Sequence, residues 1–339
     1  MNGPRRVRMR WRRPFRLRRV GTLGSALVLV AAGAVLPTHE AVASPACAVG
    51  RPGQEASGAA RCTLRVSGEE RSYLLSVPPS GHPAPLVVAY HGLSQTAGVF
   101  DTQTGLVSAT REAGLVLALP ESEGPAFNDG RFGSAGPKDE AFTIALIDVL
   151  VRSHIADSRR IVVTGFSNGA GMAMTMAAKH PQSIASLVSI DGSLMGAPGS
   201  PRPTGPVRAF LVHGTADRVQ PWNGRAARGR MLPAYIPVSE TVSAWVDAAG
   251  GGPAVVNRLP GSLGRGPVEV TTWSPGRSGA QVTAYTISGM GHVWPVAASD
   301  VVDATALVVD AASTMPVAAG TSAARIDAVA MGQGVLLRH

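Results

Sequence analysis

Groups able to hold a metal or carry redox chemistry are scarce in this sequence. Of its 339 residues two are cysteines and eight are histidines, and charged residues make up only 16%. Cys47 and Cys62 form no CxxC pair and have no neighbouring histidines, so a zinc site or a thiol-redox role is not expected. No nucleotide-binding loop and no flavin motif occurs either, and no cofactor is expected. Acidic residues are outnumbered, 22 against 31 basic ones, for a formal net charge of +9. That excess is local. Residues 1–43 hold nine arginines against Glu40 alone, a net of +8, and the remainder carries only about +1. The body of the chain therefore has no electrostatic reason to bind nucleic acid.

The basic end reads as an export signal over 1–43. An arginine-rich stretch from Arg5 to Arg19 precedes an apolar run from Val20 to Leu36, and Ala41-Val42-Ala43 offers a small-residue cleavage pattern. Cleavage after Ala43 leaves Ser44 as the mature N-terminus of a secreted, extracellular or cell-envelope protein. Arg12-Arg13-Pro14-Phe15-Arg16-Leu17 resembles a twin-arginine export motif, and the choice of export route stays open. The apolar run is shorter than the roughly 20 residues of a spanning helix, so no stable membrane anchor is expected. In an oxidising compartment Cys47 and Cys62 are expected to pair. Such a loop contributes about 3 kcal/mol in the chain-entropy picture and would pin a Gly/Pro/Ala-rich arm over 44–63.

What the chain does have is Ile161-Val162-Val163-Thr164 running into Gly165-Phe166-Ser167-Asn168-Gly169 and then into small residues. A strand feeding Gly-x-Ser-x-Gly, followed by a helix, is the layout of a nucleophile elbow. Around it the pattern alternates. A hairpin is predicted over 64–77, and strands at 86–90, 115–119, 161–164, 184–190, 207–212 and 282–287. Helices are predicted in the second half of 94–113 and over 139–155, the elbow helix to about His180, 238–249 and about 300–312. The expectation is an α/β fold with a mostly parallel central sheet, helices on both faces and no large cap domain. It would span 64–315, with a weakly patterned, poorly ordered tail over 316–339. The polar, Gly-rich segment 121–138 is a long loop of the kind that tends to be functional.

In such sheets ligands bind at the carboxyl ends of the strands, and Ser167, Asp217 and His292 each lie just past one. A serine-hydrolase triad on this fold runs Ser, acid, His. Downstream of Ser167, His180 should close the elbow helix, His213 precedes nearly every usable acid, and His339 is the last residue. His292, in a glycine-rich loop, is left as the base. Asp191 and Asp217 are the acids at strand ends; Asp217 is preferred, following the later strand, and Asp191 stays as the alternative. The oxyanion hole is assigned to the Asn168 N–H and the Leu93 N–H, with Gly92 as the alternative to Leu93. A structural hydrogen bond is expected for His91.

Phe127-Asn128-Asp129-Gly130, Asp139 with its helix, the Ser167 pentapeptide, His213-Gly214-Thr215-Ala216-Asp217, Pro221-Trp222-Asn223-Gly224 and Gly291-His292-Val293-Trp294-Pro295 occur in this order. Together they resemble the secreted polyhydroxybutyrate depolymerase/feruloyl esterase family of α/β-hydrolases over roughly residues 64–312. The resemblance implies a serine carboxylic-ester hydrolase acting through an acyl-enzyme, with Ser167, Asp217 and His292 as triad. It also implies Trp222, Asn223 and Trp294 as substrate-binding residues, although either tryptophan could be core packing. Family members often carry further cysteines near the active-site loops, which this chain lacks, and Val296 stands where a glycine often follows Trp-Pro. Nothing resembles a Ser/Thr-rich linker or a polymer-binding module, so a hydroxyalkanoate oligomer, a feruloyl ester or another soluble ester is the expected substrate. The same triad would also serve an acyltransferase or a peptidase, and a silent hydrolase fold used for binding is the non-enzymatic reading. The oligomeric state is left open.

Overall fold

The computed structural model describes residues 46–48, 58–79, 83–133, 136–197, 199–229, 231–262, 264–276 and 279–315. The expected export signal and C-terminal tail lie outside these residues. A short strand, β1 (Ala46–Ala48), pairs with β2 (Ala60–Val66), and β2 makes a hairpin with β3 (Glu69–Ser76). Ser67 and Gly68 turn that hairpin with φ of 52° and 86°, the left-handed conformations that a two-residue hairpin loop requires. Cys47 and Cys62 sit opposite each other in register and are joined by a disulfide. The boundary expected at 63/64 therefore falls inside β2, and the sheet takes in residues 60–63.

From β4 (Ala84–Tyr90) onward the chain alternates. Helices α1 (Ala97–Thr104) and α2 (Leu106–Glu112) lead to β5 (Val116–Pro120), and α3 (Asp139–Arg152) leads to β6 (Ala156–Phe166). The elbow helix α4 (Asn168–Lys179) is followed by β7 (Ser186–Ile190), β8 (Arg208–Gly214) and α5 (Val238–Ala248). Then come β9 (Ala254–Leu259), β10 (Val268–Trp273), β11 (Val282–Ile287) and α6 (Ala304–Ser313). The strands form one sheet in the order β1-β2-β3-β5-β4-β6-β7-β8-β11-β10-β9. From β5 to β11 the pairings are parallel, and both flanks are antiparallel. This is the α/β-hydrolase fold.

The parallel centre is buried on both faces, as such sheets must be when helices cover both sides. All seven residues of β4 are buried. Leu86, Val88 and Tyr90 pack with α3, α4 and α5, while Val87 and Ala89 face α1, α2 and α6. Three strands escape the sequence pattern: β1, within the expected arm, and β9 and β10, which pair beyond β11. Helix also begins earlier than expected after β4, at Ala97, where Thr96 caps the Val99 N–H. Among the described residues no helix is long and apolar enough to cross a membrane.

Candidate active site

The elbow forms where β6 ends against α4, and its glycines are required by contact. A Cβ at Gly169 would lie 2.1 Å from the Tyr90 carbonyl oxygen, and one at Gly165 would lie 2.4 Å from the Gly169 backbone. Between them Ser167 adopts φ 58° and ψ −117°, a conformation that costs energy for a residue with a Cβ and tends to concentrate at functional sites. Ser94 and Asp191 also take positive φ, 58° and 47°, at two other strand-end turns. Ser167 is the N-cap of α4, yet its side chain makes no capping bond. A serine at an N-cap ordinarily turns its oxygen back onto the first turn of the helix. Here Oγ has no hydrogen-bond partner among the described residues and stands at the positive end of the helix dipole.

His292 is brought to the elbow by the loop after β11. Its ring lies against Phe166, with centroids 4.7 Å apart, one residue from Ser167. Nδ1 is 2.7 Å from Asp217 Oδ2 and 3.9 Å from Asp191 Oδ2. Asp217 is thus the hydrogen-bonded acid of the two. Its Oδ1 accepts the Val219 and Gln220 N–H groups at 2.7 and 2.9 Å. Burial raises its pKa, but the His292 hydrogen bond and charge and those two N–H groups outweigh burial and leave it below the ordinary carboxylate range. Asp191 is shifted the other way, well upward, by burial and then by the charge of Asp217. His213 stands behind the acid: Nε2 lies 2.9 Å from the Gln220 carbonyl and 3.5 Å from Asp217 Oδ2. Burial pushes its pKa down, which favours the neutral ring as it clamps the acid loop.

Asp191, Asp217 and His292 place ligand-type atoms within 4.8 Å of one another. Both oxygens of each carboxylate are already met by N–H donors, so the arrangement suits holding an imidazole rather than caging a cation.

Both N–H groups expected for the oxyanion hole are unengaged, Asn168 as the first residue of α4. The Gly92 N–H donates to Gln95 Oε1 at 2.8 Å, which removes the alternative to Leu93. Neither the Leu93 nor the Asn168 N–H has an acceptor among the described residues. His91 holds this turn by structural hydrogen bonds: Nδ1 is 2.8 Å from the Gly92 carbonyl, and Nε2 accepts the Ser122 N–H at 3.2 Å. Burial lowers its pKa, in keeping with a neutral ring carrying its proton on Nδ1.

A buried network that the sequence reading did not find surrounds Asn168. Its side-chain oxygen accepts the Phe127 N–H at 2.8 Å, and its amide donates to the Phe127 carbonyl at 3.1 Å and to Asp129 Oδ2 at 2.9 Å. Asp129 is held in turn by Arg131 through bonds of 2.7 and 2.6 Å. Arg131 reaches on to the Met231 carbonyl and the Tyr235 hydroxyl, both at 3.4 Å. The loop 121–138 is thereby fastened both to the elbow and to the segment after the acid. Gln220 is the other member missed: its Oε1 accepts the Ser193 N–H at 2.8 Å. The Phe127-Asn128-Asp129 motif was the one available signal for the network; nothing marked Gln220.

The remaining expected residues divide. Trp222 sets its ring edge to His213, with centroids 6.0 Å apart, and its carbonyl accepts the Val238 N–H. Asn223 is exposed beside it. Trp294 donates its indole N–H to Thr305 at 3.0 Å and packs edge-on against Phe100 at 5.3 Å, which are contacts with α6 and α1. A cavity of about 940 Å³ lies apart, against α3 and the 128–138 loop, and none of Ser167, Asp217 and His292 lines it.

The family model described as esterase PHB depolymerase matches residues 71–202. NocK of Nocardia uniformis subsp. tsuyamanensis, named as a candidate esterase, is 30% identical over 270 residues, covering 72% of this chain and 76% of that protein. Poly(3-hydroxyalkanoate) depolymerase C of Paucimonas lemoignei is 33% identical over 123 residues, covering 34% of this chain but only 30% of its own length. Among solved structures, the crystal structure titled sOPH native superposes with a TM-score of 0.53 at 16% identity, covering 79% of this chain and 90% of that one.

Proposed function

We propose a catalytic assignment on one premise: this chain belongs to the esterase PHB depolymerase family and is a carboxylic-ester hydrolase of the serine type. Ser167 is the nucleophile, His292 the base and Asp217 the acid. The observation that carries this reading is the His292–Asp217 bond of 2.7 Å beside a strained serine whose hydroxyl caps nothing. With Nδ1–H donated to Asp217, the Nε2 lone pair is free to face Ser167. Oγ attacks the ester carbonyl carbon and its proton passes to Nε2. The carbonyl oxygen takes up the negative charge between the Leu93 and Asn168 N–H groups, which need not reorganise to receive it. Collapse breaks the bond to the alcohol, which leaves with the proton from Nε2. Water activated by the same nitrogen then releases the acid. Asp217, held ionised by its hydrogen bonds, stabilises the imidazolium in both halves.

The substrate we propose is a short soluble ester, either a hydroxyalkanoate oligomer or a feruloyl-type ester, with Trp222 and Asn223 beside the acid loop facing it. Trp294, expected as the third substrate residue, is better explained by packing. Export is part of the same proposal. The Cys47–Cys62 disulfide supports an oxidising compartment, and the mass of the mature N-terminus should identify Ser44 as its first residue.

Purified protein should be labelled by a fluorophosphonate probe and should hydrolyse short p-nitrophenyl esters. Ser167→Ala should lose both properties at unchanged thermal stability; undiminished turnover in that variant would remove the assignment. Hydroxybutyrate oligomers, feruloyl esters, acetylated xylan and simple acyl esters, compared by kcat/KM, test the substrate class. A preference for amides or for added alcohols over water would transfer it to a peptidase or an acyltransferase.

A further inference from the structure

One buried carboxylate beside the proposed triad takes no part in the proposed acyl transfer. Asp191 directly follows β7, with φ 47°, and is 0% exposed. Its Oδ1 accepts the Gly214 N–H and its Oδ2 the Val293 N–H, both at 3.0 Å. It therefore ties the last residue of β8 to the residue that follows His292. The same two segments also touch directly, since a Cβ on Gly214 would lie 2.2 Å from the Met290 carbonyl oxygen. The two N–H groups use one lone pair on each oxygen and leave the second lone pair of Oδ2 for another donor. What a carboxylate adds is a second acceptor for the imidazole. Asp191 Oδ2 is 3.9 Å from His292 Nδ1, against 2.7 Å for Asp217 Oδ2, so the ring has a second carboxylate beside the same nitrogen.

We propose that Asp191 is a positioning residue with two tasks: it sets the height of the histidine loop, and it is a reserve acid that takes over the Nδ1–H bond of His292 when Asp217 cannot. The proposal rests on the triad assigned above. The charged and titratable groups facing it are Asp217 and His292 across the ring, His213 behind Asp217, and Arg265, whose charge acts on it from the segment before β10. While Asp217 is ionised, burial and that neighbouring charge hold Asp191 towards its neutral form. Removal of the Asp217 charge takes away the second of these and favours the ionised, accepting form.

The test compares wild type, Asp217→Asn, Asp191→Asn and the double variant. Asparagine at 217 keeps an oxygen for the Val219 and Gln220 N–H groups but presents an amide towards Nδ1, which drives the ring towards Asp191. Asparagine at 191 is tolerated in the left-handed region. Where no second acid is present, loss of the triad carboxylate costs about 10⁴-fold in kcat. Here D217N should lose distinctly less, and the double variant should fall at least about tenfold further, as expected for neighbours acting on one group. The low-field proton resonance of the His292 Nδ1–H should persist in D217N and vanish in the double variant. This signal is read in D217N with Asp191 intact, so it does not depend on D191N folding well. Equal rates for D217N and the double variant, or loss of the resonance in D217N, would overturn the proposal. Failure of the wild type to react with a fluorophosphonate would instead overturn the triad reading beneath it.

Discussion

Truncating Asp129 is the most informative perturbation outside the triad, because its outcome is set by burial. Asp129 and Arg131 are 1% and 2% exposed at their side chains and share two bonds of 2.7 and 2.6 Å. Asp129→Ala leaves a guanidinium with no carboxylate, only the Met231 carbonyl and the Tyr235 hydroxyl at 3.4 Å. Breaking a buried pair from one side typically costs about 3–5 kcal/mol, because the remaining charge stays desolvated. At about 2–4 °C per kcal/mol for a domain of this size, the thermal midpoint should drop by roughly 6–20 °C. Removing both charges is different in kind. Asp129→Ala/Arg131→Ala leaves no orphaned ion, so it should be more stable than Asp129→Ala alone. Urea unfolding with a shared m-value gives the two free energies directly. Activity should fall in both variants, since Asn168 then holds the 127–129 loop through Phe127 alone and the oxyanion donor is less firmly placed. An Asp129→Ala variant within about 1 kcal/mol of wild type would refute the argument. So would a double variant less stable than the single one.

Gly169→Ala forces a methyl to within 2.1 Å of the Tyr90 carbonyl oxygen, so it should abolish labelling of Ser167 and lower stability by more than about 3 kcal/mol, in the range of severe overpacking; a soluble, reactive Gly169→Ala protein would contradict the elbow geometry. Leu93→Pro deletes one oxyanion donor and should cut kcat about 10²–10³-fold, whereas Leu93→Ala keeps the N–H and should stay close to wild type. Burial depresses the pKa of His213, so its unfolded form binds the extra proton: its contribution is fully present above about pH 6.5 and is lost as pH falls through the folded value, with a slope of up to ~1.4 kcal/mol per pH unit. His91 acts in the same sense and Asp191 in the opposite one, so the difference between wild type and His213→Gln, measured as thermal midpoint from pH 8 to pH 5, isolates the term; parallel curves would show that burial does not depress the His213 pKa. Turnover should be insensitive to a strong chelator, because the carboxylates near His292 hold N–H donors; inhibition reversed by added metal would overturn that reading.

How far the sequence could be read depended on what each segment packs against. The elbow was legible because Gly165 and Gly169 are imposed by backbone contact with β4, and such contacts leave few substitutes. The strands from β4 to β8 were legible because burial on both faces makes them continuous apolar runs. β9 was not, because five of its six residues are exposed and a strand with no buried face shows no period. The first four polar residues after Ala156 hid the start of β6 for the same reason. Choosing between Asp191 and Asp217 needed distances, since both lie past strand ends. The Asp129–Arg131 pair sits in a Gly-rich stretch whose composition is that of a solvated loop, and only the fold reveals that it is buried.

The site is therefore rigid by cross-linking rather than by core packing. Each loop that brings a reacting group is held by a buried polar side chain. His91 fixes the Leu93 turn to Ser122, Asn168 fixes the elbow to Phe127, His213 clamps the acid loop at Gln220, and Asp191 binds the histidine loop to β8. Such bonds are weak individually and costly to leave unmade, so four loops can hold strained residues at Ser94, Ser167 and Asp191 without drifting. Pre-formed donors favour the charge of the transition state over the neutral ester, and the frame that supplies them is independent of the substrate. Specificity must then arise where the cross-links end, at the exposed parts of 120–138 and 218–237. Arg131 joins these two segments through the Met231 carbonyl and Tyr235, so a substitution that reshapes one should move the other, and changes in substrate preference should come in pairs across that bridge.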